Sequence, residues 1–574
     1  MGRARARWWF FWAAALPLAC AGVCVGCEKS ADGAKDAGPA NSYARDAGRA
    51  SDYLSESARL FDTSRRAVVA LELAEDDWWS IGTEGRGLSA ISCEQPTDVT
   101  QDFAYTWFKT TLSVDGERLN DVAVRKKGFL GSLSIVRPSL KLDLDDHVPG
   151  RELYALEKLT LNNNRQDGSR IRQCLSYLLF ERAGVPAPRC GFAQVSVNGA
   201  DLGTYSNVES ITKAFLRARF GSDTGNLYEG QGADFLSAKW SAFDAKTDTT
   251  LDTSDLEQLR AALLSDESQR VAAVEKVLDV DAFLSYWVME ALVADWDSYS
   301  TTSNNFYLYH DPKRGFRFIP WGADATLNER ALTGATRPQS ISTNADLSRE
   351  LWAIADIRTR YVARMRKLLD QVWKVDQLLA EVDKMVALLP DADATEIEQI
   401  RSFVRNRPAV ITAELDQGPE PAAGTSPCFR EGAKLSGRFR GTWGGTMPAA
   451  MSGKDTLFEV SVSGMAVPLS AVTAVGGSVK LMGPSGLGVN LAGKKADGNT
   501  LSVQLQVEPA LFSARTIPLL GVTDIGLATG IPGPSTGLGF QFLSDGTITF
   551  TEAGTEPGQT IAGSFEGTLY QIQL

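Results

Sequence analysis

The segment "DWDSYSTTSNNFYLY" at 295–309 leads into "FIPWGADATL" at 318–327. The first holds two acids and two tandem amides ahead of an alternating aromatic run, and the second keeps one carboxylate, Asp324, among apolar neighbours. Such runs read as strands, so 305–321 is expected to be a strand pair with Asp297, Asn304, Asn305 and Asp324 at its ends. Turn and capping residues are one explanation of that pattern. A metal–phosphate site is the other. Two aspartates at the ends of neighbouring strands can approach within a few ångströms, where a cation must offset their repulsion.

Outward from this centre, 252–294 and 346–417 read as mostly helical. Earlier in the chain, "SRRAVVALEL" and "AYTWFKTTLSVDGERLNDVAVRKKGFLG" read as strands, with a hairpin at "VDGE". "PSLKLDLDD" alternates with period two, placing Lys141 on the face opposite Leu140 and Leu142, where plain solvation would also explain it. A helix follows, with Ile171, Leu175, Leu178 and Leu179 as its stripe, Asp167 or Ser169 as its cap and Gly184 at its end. Asn198-Gly199 marks a second hairpin. Beyond "DQGPEPAAGTSP" the chain turns Gly-rich, with short alternating runs such as "LSVQLQV" and "GTITFTE" and a turn expected at Asp545-Gly546. That composition predicts an all-β sandwich or barrel.

The formal charge of −12 over 574 residues argues against a nucleic-acid partner, which calls for a basic stripe. Two histidines cannot furnish a His-based triad or a multi-histidine zinc site, so chemistry must rest on carboxylates, amides, Lys and Arg. Oxygen ligands of that kind suit Mg²⁺, Mn²⁺ or Ca²⁺. No GxxxxGK[ST] or GxGxxG segment is in place for phosphate, and "KKGFLGS", with Gly128 and Gly131, reads as either a weak phosphate loop or an ordinary turn.

The start, "MGRARAR" followed by "WWFFWAAALPLA", has the form of a secretory signal. "CVGCEKSADGAKDAG" is similar to a bacterial lipoprotein box, giving an expected lipid anchor at Cys27, with Cys20 or an uncleaved span as alternatives. Past the signal only Cys93, Cys174, Cys190 and Cys428 remain, and an exported chain can pair them. Cys174 lies on the helix and Cys190 opens the strand that returns beside it, so these two are expected to bond. Closing a loop of about 15 residues stabilises a domain by roughly 3 kcal/mol.

In order along the chain, "DVAVRKKGFLGS", "RPSLKLDLDD", "LTLNNNRQDGSRIRQCLSYLLFERAGVPAPR", "VSVNGADLGTYSNVES", "GNLYEG" and the two opening segments resemble the CotH (spore-coat) kinase-like family over roughly Leu60 to Leu415. The resemblance implies an atypical kinase fold without the ordinary Gly-rich loop, using ATP with Mg²⁺ or Mn²⁺. By position it implies Lys141 or Arg137 as the phosphate cation, Asp297 as the catalytic aspartate, Asn304 or Asn305 as the metal amide and Asp324 as the metal aspartate. Glu209 is then either a nucleotide contact or the buried partner of an arginine such as Arg172. Trp296 and Trp321 read as core residues beside the site. Two positions depart from the family pattern: Asp295 stands where many relatives have His, and Gly322 replaces an acid.

The expected whole is an α+β protein: signal 1–26, flexible linker 27–57, kinase-like domain 58–417, linker 418–429 and all-β domain 430–574. Its expected function is transfer of the ATP γ-phosphoryl group to Ser or Thr of an extracytoplasmic protein, from a membrane anchor at the cell envelope. The alternative is a catalytically inactive envelope scaffold that engages another envelope protein.

Overall fold

The computed structural model describes residues 52–93, 105–236, 242–247, 252–328, 340–421, 428–446, 455–479, 486–520, 525–531 and 540–573. The signal, Cys27 and most of the expected tether lie outside the described residues. No helix among the described residues is long and apolar enough to cross a membrane.

Seven strands close a barrel: β1 (Arg66–Glu72), β2 (Phe108–Val114), β3 (Glu117–Lys127), β4 (Ser139–Asp143), β5 (Lys158–Asn162), β6 (Cys190–Val197) and β7 (Ala200–Val208). Their order is β1-β2-β3-β4-β5-β7-β6, and β6 runs parallel to β1 to complete the ring. Period-two alternation fills the interior with Val122, Val124, Leu140, Leu142, Leu159 and Leu161. The intervening residues Arg125, Lys127 and Lys141 therefore point outward, and Arg125 sits directly opposite Lys141 in the β3–β4 register. Lys126 shares the interior face and is buried. It is accommodated because its ammonium donates to the carbonyls of Gly82 and Glu84, both at 2.6 Å, at the C-terminal end of α1 (Glu75–Thr83).

α2 (Arg172–Arg182) packs on β6, and the Cys174–Cys190 disulfide joins them with a Cα separation of 4.9 Å. Asp167 accepts the Arg172 N–H at 2.9 Å and Ser169 accepts that of Ile171 at 3.4 Å, so both serve the helix start. After α3 (Lys213–Phe220) comes a four-stranded sheet of β8 (Leu227–Gly230), β9 (Phe243–Ala245), β10 (Phe306–Asp311) and β11 (Gly315–Pro320), in the order β11-β10-β8-β9. It packs with α4 (Ser254–Leu263), α5 (Glu267–Val274), α6 (Val280–Leu292), α7 (Tyr299–Thr302), α8 (Asp346–Trp352), α9 (Ala355–Gln371), α10 (Val375–Val386) and α11 (Ala394–Gln417). Leu284, Trp287, Phe306, Phe318 and Tyr361 share its core.

The C-terminal part is all-β, with ten strands among the described residues. They are β12 (Cys428–Thr446), β13 (Leu457–Val462), β14 (Met465–Ala466), β15 (Ser470–Val479) and β16 (Gly486–Lys494), followed by five more. Those five are β17 (Thr500–Val507), β18 (Thr516–Leu519), β19 (Ile525–Thr529), β20 (Gln541–Ala553) and β21 (Thr560–Gln573). Pairing runs β12-β15-β16-β17-β19-β20, and β21 bridges β20 back to β12, so the circuit closes. A second disulfide, Cys93–Cys428, with Cα atoms 5.0 Å apart, ties this part to the segment after α1.

Two local expectations fail. Asp545-Gly546 lies inside β20, at a register shift between Ser544 and Thr547, because the ladder to β21 resumes on both sides. The result is a bulge that turns the Asp545 carboxylate toward Ser89, whose N–H and hydroxyl each donate to it at 3.2 Å. At the other end, 52–57 is helical rather than tether, since Tyr53 and Ser57 are buried in polar contact with the barrel.

Candidate functional site

α6 delivers the chain into the 293–305 loop. Arg407, from α11, donates to the carbonyls of Leu292 at 3.0 Å and Ala291, the last of that helix. Glu290 accepts the N–H groups of Tyr299 at 3.0 Å and Ser300 at 3.1 Å, fixing the single turn of α7, and burial pushes its carboxyl up to about 7. Asp297 is then held by three side chains. The Thr302 hydroxyl donates at 3.1 Å, the Asn304 amide at 3.2 Å and the Asn305 amide at 2.9 Å. Burial raises its carboxyl above the usual range against these donors.

Asn304 and Asn305 thus turn their NH₂ groups to Asp297. The carbonyl oxygen of Asn305 faces Gly322, 2.6 Å from where a β-carbon there would stand. Gly322 has φ +55°. A side chain at this position would meet the end of the Asn305 side chain, which would have to shift to admit an aspartate.

Asp324 follows on a loop secured by Arg172, whose guanidinium donates to the carbonyls of Thr326 at 2.7 Å and Leu327 at 2.9 Å. Its residue is 9% exposed, and among the described residues no other side chain donates a hydrogen bond to its carboxylate or pairs with it. Burial pushes it up to about 6, Lys127 opposes this, and Asp167 and Asp297 add to it. A cleft of about 160 Å³ opens beside it, lined by Trp296, Gln166, Glu396 and Gln399 among others.

The outer face of the barrel presents Arg125, Lys127 and Lys141 to this region. Lys127 is pushed down by burial, opposed by Asp324 and Glu229, and its ammonium lies 5.9 Å from the Trp321 ring centre. Lys141 is pushed down by burial to about 8, with Glu229 opposing. Among the described residues neither lysine makes a hydrogen bond or an ion pair within 4.0 Å. The Nε of Arg125 is buried without a partner, and its guanidinium covers the Trp107 ring at 4.7 Å. Glu229 is buried and pairs with Lys246 at 2.7 Å. Burial pushes Glu229 up, but Lys246 and Lys141 outweigh it and hold it below the usual carboxylate range.

Of the residues singled out from sequence, Asp297, Asn304, Asn305 and Asp324 thus belong to one neighbourhood, and Lys141 is connected to it only through Glu229, which also acts on Lys127. Arg137 does not join them. It donates to the carbonyls of Leu202 at 2.6 Å and Thr204, and lies over Tyr205 at 4.8 Å. Glu209 is the buried partner of arginines, but of Arg189 at 2.6 Å and Arg219 at 3.2 Å rather than Arg172, with the Tyr53 hydroxyl donating at 2.7 Å. Arg172 pairs instead with Asp167 and Glu396. Trp296 and Trp321 are half-buried: Trp321 packs against the core as expected, and Trp296 lines the cleft instead. Sequence reading overlooked Lys127, Arg125 and Glu229. The first two were recoverable from the alternation of "RKK" on a strand paired to Lys141; Glu229 carried no local signal.

The donors fit a divalent cation that arrives with a phosphate ligand. The described residues contain no group of three or more His, Cys, Asp or Glu placed to hold a metal. Asp324, however, is a buried carboxylate lacking a partner, and Mg²⁺ is commonly held by one or two carboxylates with substrate phosphates completing its shell.

The chain is 25% identical to the inner spore coat protein H of Bacillus subtilis over 265 residues, covering 43% of this chain and 68% of that one. It is 28% identical to the invasin CotH3 of Rhizopus delemar over 170 residues, covering 26% of this chain and 28% of that one. The Rhizopus spore coat protein homolog 1 matches at 26% identity, over 29% of this chain and 32% of its own length, so the chain spans about a third or less of these fungal relatives. The solved Helicobacter pylori proinflammatory kinase CtkA aligns with 49% of this chain and 94% of its own at 10% identity, and its TM-score of 0.26 is too low to bear on the fold. The CotH kinase protein model matches residues 124–411, half of the sequence, and the chain belongs to that family.

Proposed function

We propose that this protein transfers the γ-phosphoryl group of ATP to a serine or threonine hydroxyl of an extracytoplasmic protein. The observation that carries the reading is the meeting, among the described residues, of an unpaired cation with an unpaired acid, Lys127 with Asp324, beside a second unpaired cation, Lys141, that shares the Glu229 field with Lys127. Lys127, Lys141 and Arg125 bind and orient the phosphates, and Asp324 with the side-chain carbonyl oxygen of Asn305 would hold Mg²⁺ or Mn²⁺. When bound, that ion neutralises charge building on the phosphoryl oxygens. Asp297 orients the acceptor hydroxyl and takes its proton as the oxygen–phosphorus bond forms and the bond to ADP breaks. A carboxylate has about four acceptor positions and Asp297 uses three on Thr302, Asn304 and Asn305, which leaves one for the hydroxyl.

The lipoprotein-like box at Cys27 supports attachment to an envelope membrane, and the two disulfides support an oxidising compartment. The near-saturation of Asp297 also favours a second reading, an inactive envelope scaffold in which this carboxylate serves only to shape its loop. Calorimetric titration of Mg-ATP and Mn-ATP into the purified chain tests the first reading. Metal-dependent binding followed by phosphate incorporation into a Ser/Thr-rich protein acceptor is expected; absence of metal-dependent binding overturns it.

A further inference from the structure

We infer that the C-terminal β-domain holds the loop between β3 and β4 in place, and so sets the spacing of Arg125, Lys127 and Lys141. On the reading above, it is part of the phosphate site rather than an appendage.

The loop begins immediately after Lys127, the last residue of β3, which pairs with Ser139, the first of β4. From the barrel side the loop is fastened at its two ends and at Ser132. The Tyr105 hydroxyl donates to the Gly128 carbonyl at 2.7 Å, and the Asn163 amide donates to the carbonyls of Ser132 at 2.8 Å and Arg137 at 2.7 Å. Its tip is fastened from elsewhere. Leu133, 0% exposed, and Ile135, 3% exposed, belong to the same hydrophobic core as Leu435, Phe439, Leu505 and Leu569 of the β-domain. The Ile135 N–H donates to the buried Glu508 carboxylate at 3.1 Å, and Arg165, from the barrel side, reaches the same carboxylate at 3.6 Å. A second junction holds the two parts in register. Leu88 packs with Phe429, Phe542 and Tyr570, Ser89 bonds to the Asp545 bulge, and Cys93 is bonded to Cys428.

Two large apolar side chains at a loop tip have no reason to stay ordered in water; here they are core residues of another domain. Among the described residues Arg125, Lys127 and Lys141 make no hydrogen bond or ion pair, so apart from the Trp107 and Trp321 rings beside Arg125 and Lys127 their positions are set by the strands that carry them. Holding the connecting loop therefore pre-organises the cation face, which lowers the entropic cost of closing it on a polyphosphate. Lys127, adjacent to the loop, depends on this most; Lys141, in the middle of β4, depends on it less.

The test uses the full chain carrying Leu133→Ala with Ile135→Ala, and separately Glu508→Gln, which keeps side-chain volume. Amide exchange by mass spectrometry reads the loop, inorganic triphosphate reads the cation face, and Mg-ATP reads the nucleotide site. The double variant is expected to exchange faster over 128–139 while β16, β17 and α6 keep their protection, and to bind triphosphate at least about fivefold more weakly. Glu508→Gln is expected to do the same to a smaller degree, and it decides the matter if the double variant loses protection throughout. Unchanged exchange over 128–139, or a loosened loop with unchanged triphosphate affinity, overturns the inference. If the wild type binds triphosphate in this loop-dependent way but not Mg-ATP, the nucleotide reading fails and the β-domain's role stands. If it binds neither, both fail.

Discussion

Glu209 and Asp324 are both buried carboxylates, and they are treated in opposite ways. Glu209, 0% exposed, accepts from Tyr53, from two arginines and from the Arg189 backbone N–H at 2.8 Å. Among the described residues Asp324 has no side-chain partner, and neither Lys127, the cation that acts on it, nor Lys141 on the neighbouring strand makes a hydrogen bond or ion pair. Buried polar groups are ordinarily satisfied, so a saturated cluster needs no explanation beyond the fold. An unsaturated one, with acid and base facing each other, points to something that enters and completes it. The same contrast separates Arg137, whose donors go to backbone carbonyls, and Arg172, whose donors go to carbonyls and to Asp167 and Glu396, from Arg125, whose Nε is buried without a partner among the described residues.

The strongest way to break this contrast is Asp297→Ala. Asp297 is assigned to positioning the acceptor, so single-turnover phosphoryl transfer is expected to fall by about 10³-fold or more, while the Mg-ATP Kd moves by less than about threefold. If binding and the thermal transition both collapse, Asp297 belongs with Glu209 as scaffolding. Glu209→Ala is the opposite case. It strands Arg189 and Arg219 without a counter-charge and is expected to cost about 3–5 kcal/mol in denaturant unfolding. In protein that remains folded, Mg-ATP affinity should be unchanged; a loss would place Glu209 in the nucleotide site after all.

Why some of this was legible in sequence and some was not follows from where each partner sits. The hairpins at Asp115-Gly116 and Asn198-Gly199 and the outward face of Lys141 were readable, because backbone dihedrals and strand alternation are local. The same hairpin rule misread Asp545-Gly546, where a ladder on both sides outweighed the dipeptide. Arg137 and Lys141 looked equivalent as candidate cations; only the carbonyls of Leu202 and Thr204, brought up by β7, remove Arg137. Glu209 reads from sequence as either a nucleotide contact or the buried partner of an arginine such as Arg172; its partners are Arg189 and Arg219, which reach it through the return from α2 and through α3. Glu229 was invisible because its significance lies across the cleft, on another sheet.

Asp324 itself sharpens the comparison through pH. Its folded value is about 6 against an ordinary 3.8. The stability linked to it is therefore fully present below about pH 4 and is lost as the pH rises through about 6. Asp324→Asn should consequently raise unfolding stability at pH 7–8, by about 3 kcal/mol at most, with no gain near pH 4. The same substitution should abolish metal-dependent ATP binding. In the wild type that binding should weaken as the pH falls below about 6, roughly tenfold per unit at the steepest. A stability gain that persists at pH 4 would show that burial of the charge is not the cause.

The smallest expected effect falls on Lys141, and it runs in two directions at once. Burial pushes this lysine down to about 8 from 10.5, against the pull of Glu229. A depressed lysine contributes stability above its ordinary value that is lost as the pH falls through about 8, so at pH 7 the protein carries the full cost of the buried ammonium. Lys141→Met keeps the length of the chain and removes the charge, and should stabilise the protein at pH 7 by about 1–2 kcal/mol, with the gain disappearing toward pH 10.5. The same variant loses a charge-assisted contact to phosphate and should bind Mg-ATP about tenfold more weakly. Glu209→Gln, which replaces a saturated group, should lower stability and leave affinity alone. Opposite signs for stability and affinity in Lys141→Met are what a cation kept without a partner for an incoming phosphate must show. If Lys141→Met destabilises the fold and leaves affinity unchanged, Lys141 is held by contacts of its own and the phosphate assignment passes to Lys127 and Arg125.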